Sequence, residues 1–228
     1  MDEAETRFAA PTQSKLRELA AVREIPRLAL RAPTLAKLPR GSATVVAIPG
    51  YSTTDLATWP IRRMLQTLGH TVHGWGFGVN RAQVETMLGP VIDMIEQHAI
   101  DAGSPVHLLG WSNGGVFARE VARDRPDLIA QVFTYGTPIF GGPKFTRGAA
   151  LYPPEEIDRV AAIVERRNAI PIDRPITAFY SKNDAIVDWR ACIDDFSPAV
   201  ENIQVRSTHS GMGIDPDVWR PIASRLAS

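Results

Sequence analysis

From Ala43 onward, short unbroken apolar runs alternate with longer stretches in which apolar residues recur every three or four positions. Runs of the first kind read as buried strands, and stretches of the second kind as helices with one face turned inward. The expected strands are residues 44–48, 71–75, 106–109, 129–135, 176–180 and 203–205. Between them Ile61, Met64, Leu65 and Leu68 fall at helical spacing. Val84, Met87, Leu88, Val91, Ile92 and Ile95 continue a second stripe, in which Pro90 predicts a kink or a restart. A helix follows Ser112, and Val218, Trp219, Ile222 and Leu226 give the last helix its apolar face. This alternation predicts an α/β fold, with right-handed crossovers joining the strands of a mostly parallel central sheet flanked by helices. Ligands of such sheets bind beyond the C-terminal ends of the strands.

Two regions interrupt the pattern. Residues 1–40 read as an N-terminal extension, in which Ser14 precedes a short amphipathic stretch with Leu16, Leu19 and Ala20 on one face. Pro26, Pro33 and Pro39 then punctuate a segment that cannot be one regular helix. The extension is expected to pack on the core, along the sheet edge or near the mouth of the site, with residues 41–228 forming the main domain. Within 138–174, Pro138, Gly141-Gly142-Pro143 and Pro153-Pro154 bracket an irregular piece, and a helix follows with Ile157, Val160, Ala161 and Val164 inward.

Composition narrows the function classes. A chain of 228 residues is long enough for one domain with a sizeable core. Its 25 lysines and arginines balance 25 aspartates and glutamates, so no net field draws it to nucleic acid or to anionic membranes. The single cysteine, Cys192, forms no intramolecular disulfide and excludes a cysteine-rich metal site. Met1-Asp2-Glu3-Ala4-Glu5 is acidic and leads into no apolar core of signal-peptide type, and no stretch approaches the ~18 apolar residues of a membrane span. A cytoplasmic location is the resulting expectation. Oligomeric state is not encoded in any of these features.

The chemistry concentrates at Gly110-Trp111-Ser112-Asn113-Gly114, between the apolar run that ends at Leu109 and a helix-forming stretch. Gly-x-Ser-x-Gly in a strand–turn–helix setting is the form of a nucleophile elbow, a turn so tight that the serine backbone is strained. Gly110 and Gly114 leave room where a Cβ would collide, and Gly115 lets the helix sit close to the strand. A serine hydroxyl needs a neighbouring base, itself oriented by an acid. Of five histidines, His98 lies on the polar side of a helix, and His107 sits inside the strand before the elbow, as a hydrogen-bonded core residue. His70 and His73 flank the preceding strand. His209, in the small-residue loop Ser207-Thr208-His209-Ser210-Gly211, is the first candidate for the base and His73 the second. For the acid, Asp184 follows a strand by one turn, whereas Asp188 reads as an N-cap for the helix Trp189-Arg190-Ala191. Asp194 and Asp195 are expected on the solvated face of that helix or just past it. Asp184 is favoured over Asp188.

The order Ser112, Asp184, His209, together with Pro49-Gly50-Tyr51 after the first strand and Gly74-Trp75-Gly76 after the second, resembles the α/β-hydrolase superfamily, in particular its compact bacterial lipase- or esterase-like members. The resemblance spans roughly residues 43–225. One departure is that Pro49-Gly50 stands where that family carries a His-Gly pair. The resemblance places a small cap over the substrate at about 138–174; an ordinary crossover helix with a long loop is the other reading of the same segment.

An acyl carbonyl under attack needs fixed N–H donors where negative charge develops. Asn113, at the start of a helix, supplies one backbone N–H, and the loop Gly50-Tyr51-Ser52 the other, with Tyr51 the first choice and Ser52 the alternative. Ser52, Trp75, Phe77, Ile139, Phe140 and Met212 are candidate substrate contacts, each of which core packing explains equally well. The expected activity is a serine hydrolase of small carboxylic esters that works through an acyl-enzyme and needs no metal or organic cofactor. A thioesterase, a polyester hydrolase or an acyltransferase would use the same residues. A catalytically silent protein that binds a hydrophobic ligand is the rival from another class.

Overall fold

The computed structural model describes residues 8–12 and 15–227. Ser14 and the acidic residues 1–5 lie outside them. Among the described residues six strands form one parallel sheet: β1 (Thr44–Ile48), β2 (Thr71–His73), β3 (Val106–Trp111), β4 (Ile129–Tyr135), β5 (Ile176–Ser181) and β6 (Val200–Val205). Their order across the sheet is β2-β1-β3-β4-β5-β6, and each neighbouring pair is parallel. Every expected strand is present. The second is shorter than the apolar run implied, and the last begins earlier, at Val200.

Helices cover the sheet: α1 (Glu24–Leu35), α2 (Asp55–Thr67), α3 (Val84–Ala102), α4 (Asn113–Asp124), α5 (Pro154–Asn168) and α6 (Pro216–Leu226). Alternate residues of each buried strand enter different cores. Val46, Ile48, Leu108, Val132 and Ala178 pack with Val91 and Ile95 of α3 and Phe117 and Val121 of α4. Val45, Ala47, Leu109, Phe133 and Phe179 pack instead with Ile61 and Leu65 of α2 and Val218, Trp219 and Ile222 of α6. This is why the central strands read as largely apolar runs: both of their faces are covered. Pro90 is accommodated inside α3, and the helix runs on to a left-handed Gly103.

Three local expectations need correction. The N-terminal segment is not one helix, since a 3-10 helix, Lys15–Arg23, leads into α1 and α1 ends before Pro39, but Pro26 and Pro33 both lie inside α1 and do not break it. Pro26 stands in the first turn, where its missing N–H has no helical partner to lose. Asp188 does act as a cap, accepting from the Arg190 N–H at 3.0 Å, but the element it caps is one 3-10 turn, Trp189–Cys192. Asp194 is not solvated: it is buried and paired with Arg119 of α4.

Along the chain, β1 is followed by β2 on one side of it, and the chain then returns to β3 on the other side. The loops after β1 and β3 therefore diverge and leave a crevice at their C-terminal ends. Ser112 follows β3 and Pro49-Gly50-Tyr51 follows β1. The sheet thus presents the two halves of the expected site to each other.

Candidate active site

Ser112 links β3 to α4 with φ +53° and ψ −123°, a conformation that side-chain-bearing residues rarely adopt. It is held from both directions. Its N–H donates to the Tyr135 carbonyl at the end of β4 (2.9 Å), and its carbonyl accepts from the Gly115 N–H (3.0 Å). The glycines around it are required by space. A Cβ on Gly110 would lie 2.3 Å from the Gly115 Cα, and one on Gly114 would lie 2.2 Å from the Ile48 carbonyl oxygen. The start of α4 is thus pressed between β1 and β3, with Asn113 as its first residue.

Asp184 lies three residues beyond β5 in a tight turn and is buried. One carboxylate oxygen accepts the N–H groups of Ile186 and Val187, both at 2.8 Å. The other lies 2.7 Å from Nδ1 of His209, which is also buried. A carboxylate fixed by two backbone donors cannot swing, so it sets the imidazole plane and keeps the Nδ1 proton facing it. Burial pulls the His209 pKa down. The charge of Asp184, its hydrogen bond and the charge of Glu18 outweigh this and leave the pKa above the usual histidine range.

The turn Tyr135-Gly136 connects this pair to Ser112. The Tyr135 carbonyl holds the serine N–H. Gly136 has φ +60°, and a Cβ there would stand 2.9 Å from the His209 ring and 3.4 Å from the Asp184 carboxylate. Trp111, just before the serine, lies with its ring centroid 5.7 Å from that of His209, and its Nε1–H donates to the His209 carbonyl at 3.3 Å. The three expected residues therefore gather at one edge of the sheet. His73 does not join them; it stacks on His98 at 3.9 Å. His107 lies against Phe133, and its Nδ1 is buried without a hydrogen-bond partner, so the expected satisfied core histidine is not what forms. Asp188 turns to the Arg190 side chain and to the Ala9 N–H.

Beyond β1, Gly50 sits against the elbow: a Cβ there would approach the Ser112 Cβ to 3.2 Å. Ser52, with φ +59°, spends its N–H on the Asn80 carbonyl (2.7 Å), which removes it as the alternative oxyanion donor. Tyr51 is left as the candidate donor in that turn, and its side chain is exposed. The turn is fixed by the fully buried Asn80, whose Nδ2 donates to the Pro49 carbonyl at 2.7 Å.

The candidate substrate contacts divide. Phe77 is exposed, as Tyr51 is, whereas Trp75 is buried edge-on against Phe117 and donates its Nε1–H to the Gly78 carbonyl. Met212 and Ile139 are buried in the two main cores. Phe140 is half-buried in an aromatic cluster with Phe8, Phe145 and Phe196. In the link from β4 to β5, α5 is fastened to α4 by Arg167, which pairs with Glu120 and Asp124.

Sequence reasoning missed Gly136, Asn80 and Glu18. Gly136 carried a readable signal, a glycine directly after a strand in the parallel sheet. A lone asparagine and a lone glutamate carry none. Among the described residues no group of three histidine, cysteine, aspartate or glutamate side chains is placed to hold a metal ion. No helix of those residues is long and apolar enough to cross a membrane.

No protein-family model and no curated protein matches the sequence. Solved structures do match in fold. A monoacylglycerol lipase from Paleococcus ferrophilus superposes with a TM-score of 0.63 at 17% identity, covering 82% of this chain and 96% of that one. An alpha/beta superfamily hydrolase from Oenococcus oeni gives 0.61 at 14% identity, covering 82% and 92%. The thioesterase domain from the curacin biosynthetic pathway gives 0.53 at 17% identity, covering 85% and 92%. The chain has the α/β-hydrolase fold.

Proposed function

We propose that this protein is a serine hydrolase that cleaves carboxylic esters by acyl transfer. The observation that carries the reading is the buried His209–Asp184 pair, 2.7 Å apart, at the edge of the sheet where Ser112 occupies a strained elbow. In this mechanism His209 takes the Ser112 proton as the hydroxyl attacks the acyl carbonyl. Asp184 keeps the ring in the right tautomer and stabilises the imidazolium that forms. The backbone N–H groups of Asn113 and Tyr51 receive the charge on the carbonyl oxygen. His209 then passes its proton to the leaving alcohol, and water resolves the acyl-enzyme along the same path in reverse. The residues used are all supplied by the chain, and the substrate is a small-molecule ester.

Lipase and thioesterase names among proteins of the same fold support acyl chemistry without choosing the leaving group. Exposed Tyr51 and Phe77 and the half-buried Phe140 favour an apolar acyl group. The test is turnover of short p-nitrophenyl esters by the wild type and by Ser112→Ala. The expected result is hydrolysis by the wild type and a loss of about 10³-fold or more in kcat for the variant, with an unchanged melting temperature. Equal rates in the two would end the proposal.

A further inference from the structure

We infer that Glu18 is a positioning residue for the His209–Asp184 pair, and that the N-terminal 3-10 helix is a strap tying together the two loops that carry them. The inference rests on the serine-hydrolase reading above and adds a residue to its machinery. Glu18 is half-buried, and both oxygens of its carboxylate accept from those loops. Oε1 accepts the N–H of Ala185, next to Asp184, at 3.1 Å and the N–H of His209 itself at 3.3 Å. Oε2 accepts the N–H of Ser210 at 2.9 Å. One rigid group thus spans two segments that have no ladder between them: residues 182–185 lie past the end of β5, and residues 206–210 past the end of β6. Sliding of either loop against the other breaks at least one of these bonds.

Further contacts show that the N-terminal segment is seated on this edge rather than touching it at one point. Arg27 of α1 pairs with Asp215 at 3.0 Å and with Asp217, beyond the His209 loop. Phe8 stacks on Phe140 at 4.6 Å, and the Ala9 N–H donates to Asp188 at 3.0 Å. The charge of Glu18 matters as well as its bonds. Among the described residues the ionisable groups acting on His209 are Asp184 and Glu18, and Asp184 and Asp188 also act on the buried Cys192 thiol. Both carboxylates favour the imidazolium that forms when the serine proton is transferred.

The experiment uses the full chain as wild type, Glu18→Gln, Glu18→Ala and Arg27→Met, with a short p-nitrophenyl ester. It measures kcat, KM, the pH profile of kcat/KM and thermal melting. Glu18→Ala is expected to lower kcat by about 10- to 100-fold with KM changed less than about twofold, since misplacing a reacting group acts on the chemical step. Glu18→Gln keeps an accepting oxygen and is expected to recover part of kcat. In both, the acid limb moves to lower pH by about half a unit, because a negative charge near the imidazolium is gone. Arg27→Met is expected to lower the melting temperature and leave the acid limb in place. Unchanged kcat and acid limb in both Glu18 variants overturn the inference, as does a loss of rate that merely follows the folded fraction. An NMR titration of the His209 ring in the Ser112→Ala background reads the same pKa shift without turnover. Glu18 can therefore be judged there even if Ser112 proves not to be the nucleophile: a downward shift supports the strap, and no shift overturns it.

Discussion

At φ +53° the Ser112 backbone sits where a Cβ is crowded, and such a residue costs about 1–3 kcal/mol relative to a relaxed one. The cost is offset by the hydrogen bonds that hold the turn, from the Ser112 N–H to the Tyr135 carbonyl and from the Gly115 N–H to the Ser112 carbonyl. Glycine adopts this conformation freely, although it loses more freedom on folding. Ser112→Gly is therefore expected to be more stable than Ser112→Ala by about 1 kcal/mol in urea denaturation, with neither variant active. A glycine variant less stable than the alanine one would mean that the elbow is unstrained. At this scale the candidates for nucleophile and base were legible because their signals are local: a serine between paired glycines, and a histidine in a small-residue loop after a strand. Asp184 was harder to separate from Asp188. The difference became clear only when one carboxylate met His209 and the other capped a turn. Glu18 could not be read at all. Its partners lie 167, 191 and 192 positions away in sequence, and no local pattern marks a carboxylate that will accept remote backbone donors.

Among the elements, the strands were legible where both faces are buried, since an unbroken apolar run then has one interpretation. Helices α2, α3, α5 and α6 were legible from their stripes, and α4 from its place after the Gly-x-Ser-x-Gly turn. The errors fell where a long-range partner overrides local preference. Asp194 stands in an acidic pair with Asp195 and reads as solvent-facing, yet Arg119, 75 residues earlier, draws it into a buried pair that ties α4 to the segment before β6. The prolines of the N-terminal segment read as breaks, but the first turn of α1 tolerates Pro26, and the packing of Leu35 against the α2 and α6 face anchors the end of the helix. The candidate acyl pocket was the least legible feature. Apolar residues near the sheet edge serve a core and a substrate equally well, and burial assigned Trp75 and Met212 to the core.

For the molecule as a whole, two histidines withdrawn from water contribute to the response to acid. Burial, and secondarily the nearby His70, lowers the His107 pKa to about 4; burial also lowers that of His70, whose two ring nitrogens have no partner. In the unfolded chain both titrate near 6.5. Between about pH 6.5 and 4 the unfolded state binds more protons than the native state, so stability falls as pH falls across that window. His209 runs the other way: its raised folded pKa contributes stability that is complete below about pH 6.5 and lost as pH rises through the folded value. Urea denaturation at about pH 7 and about pH 4.5 is expected to show a smaller acid loss in His107→Leu than in the wild type, by about 1–3 kcal/mol. Parallel losses in the two proteins would remove His107 from the account.

The central claim is that the Ser112 hydroxyl is activated by His209. Its most direct measurement is the intact mass of the protein after exposure to a fluorophosphonate, with peptide mapping of the adduct. One adduct on Ser112 is the predicted result, absent in Ser112→Ala and strongly slowed in His209→Ala. No adduct under conditions that label a control serine esterase, or labelling of equal speed without the histidine, would contradict it.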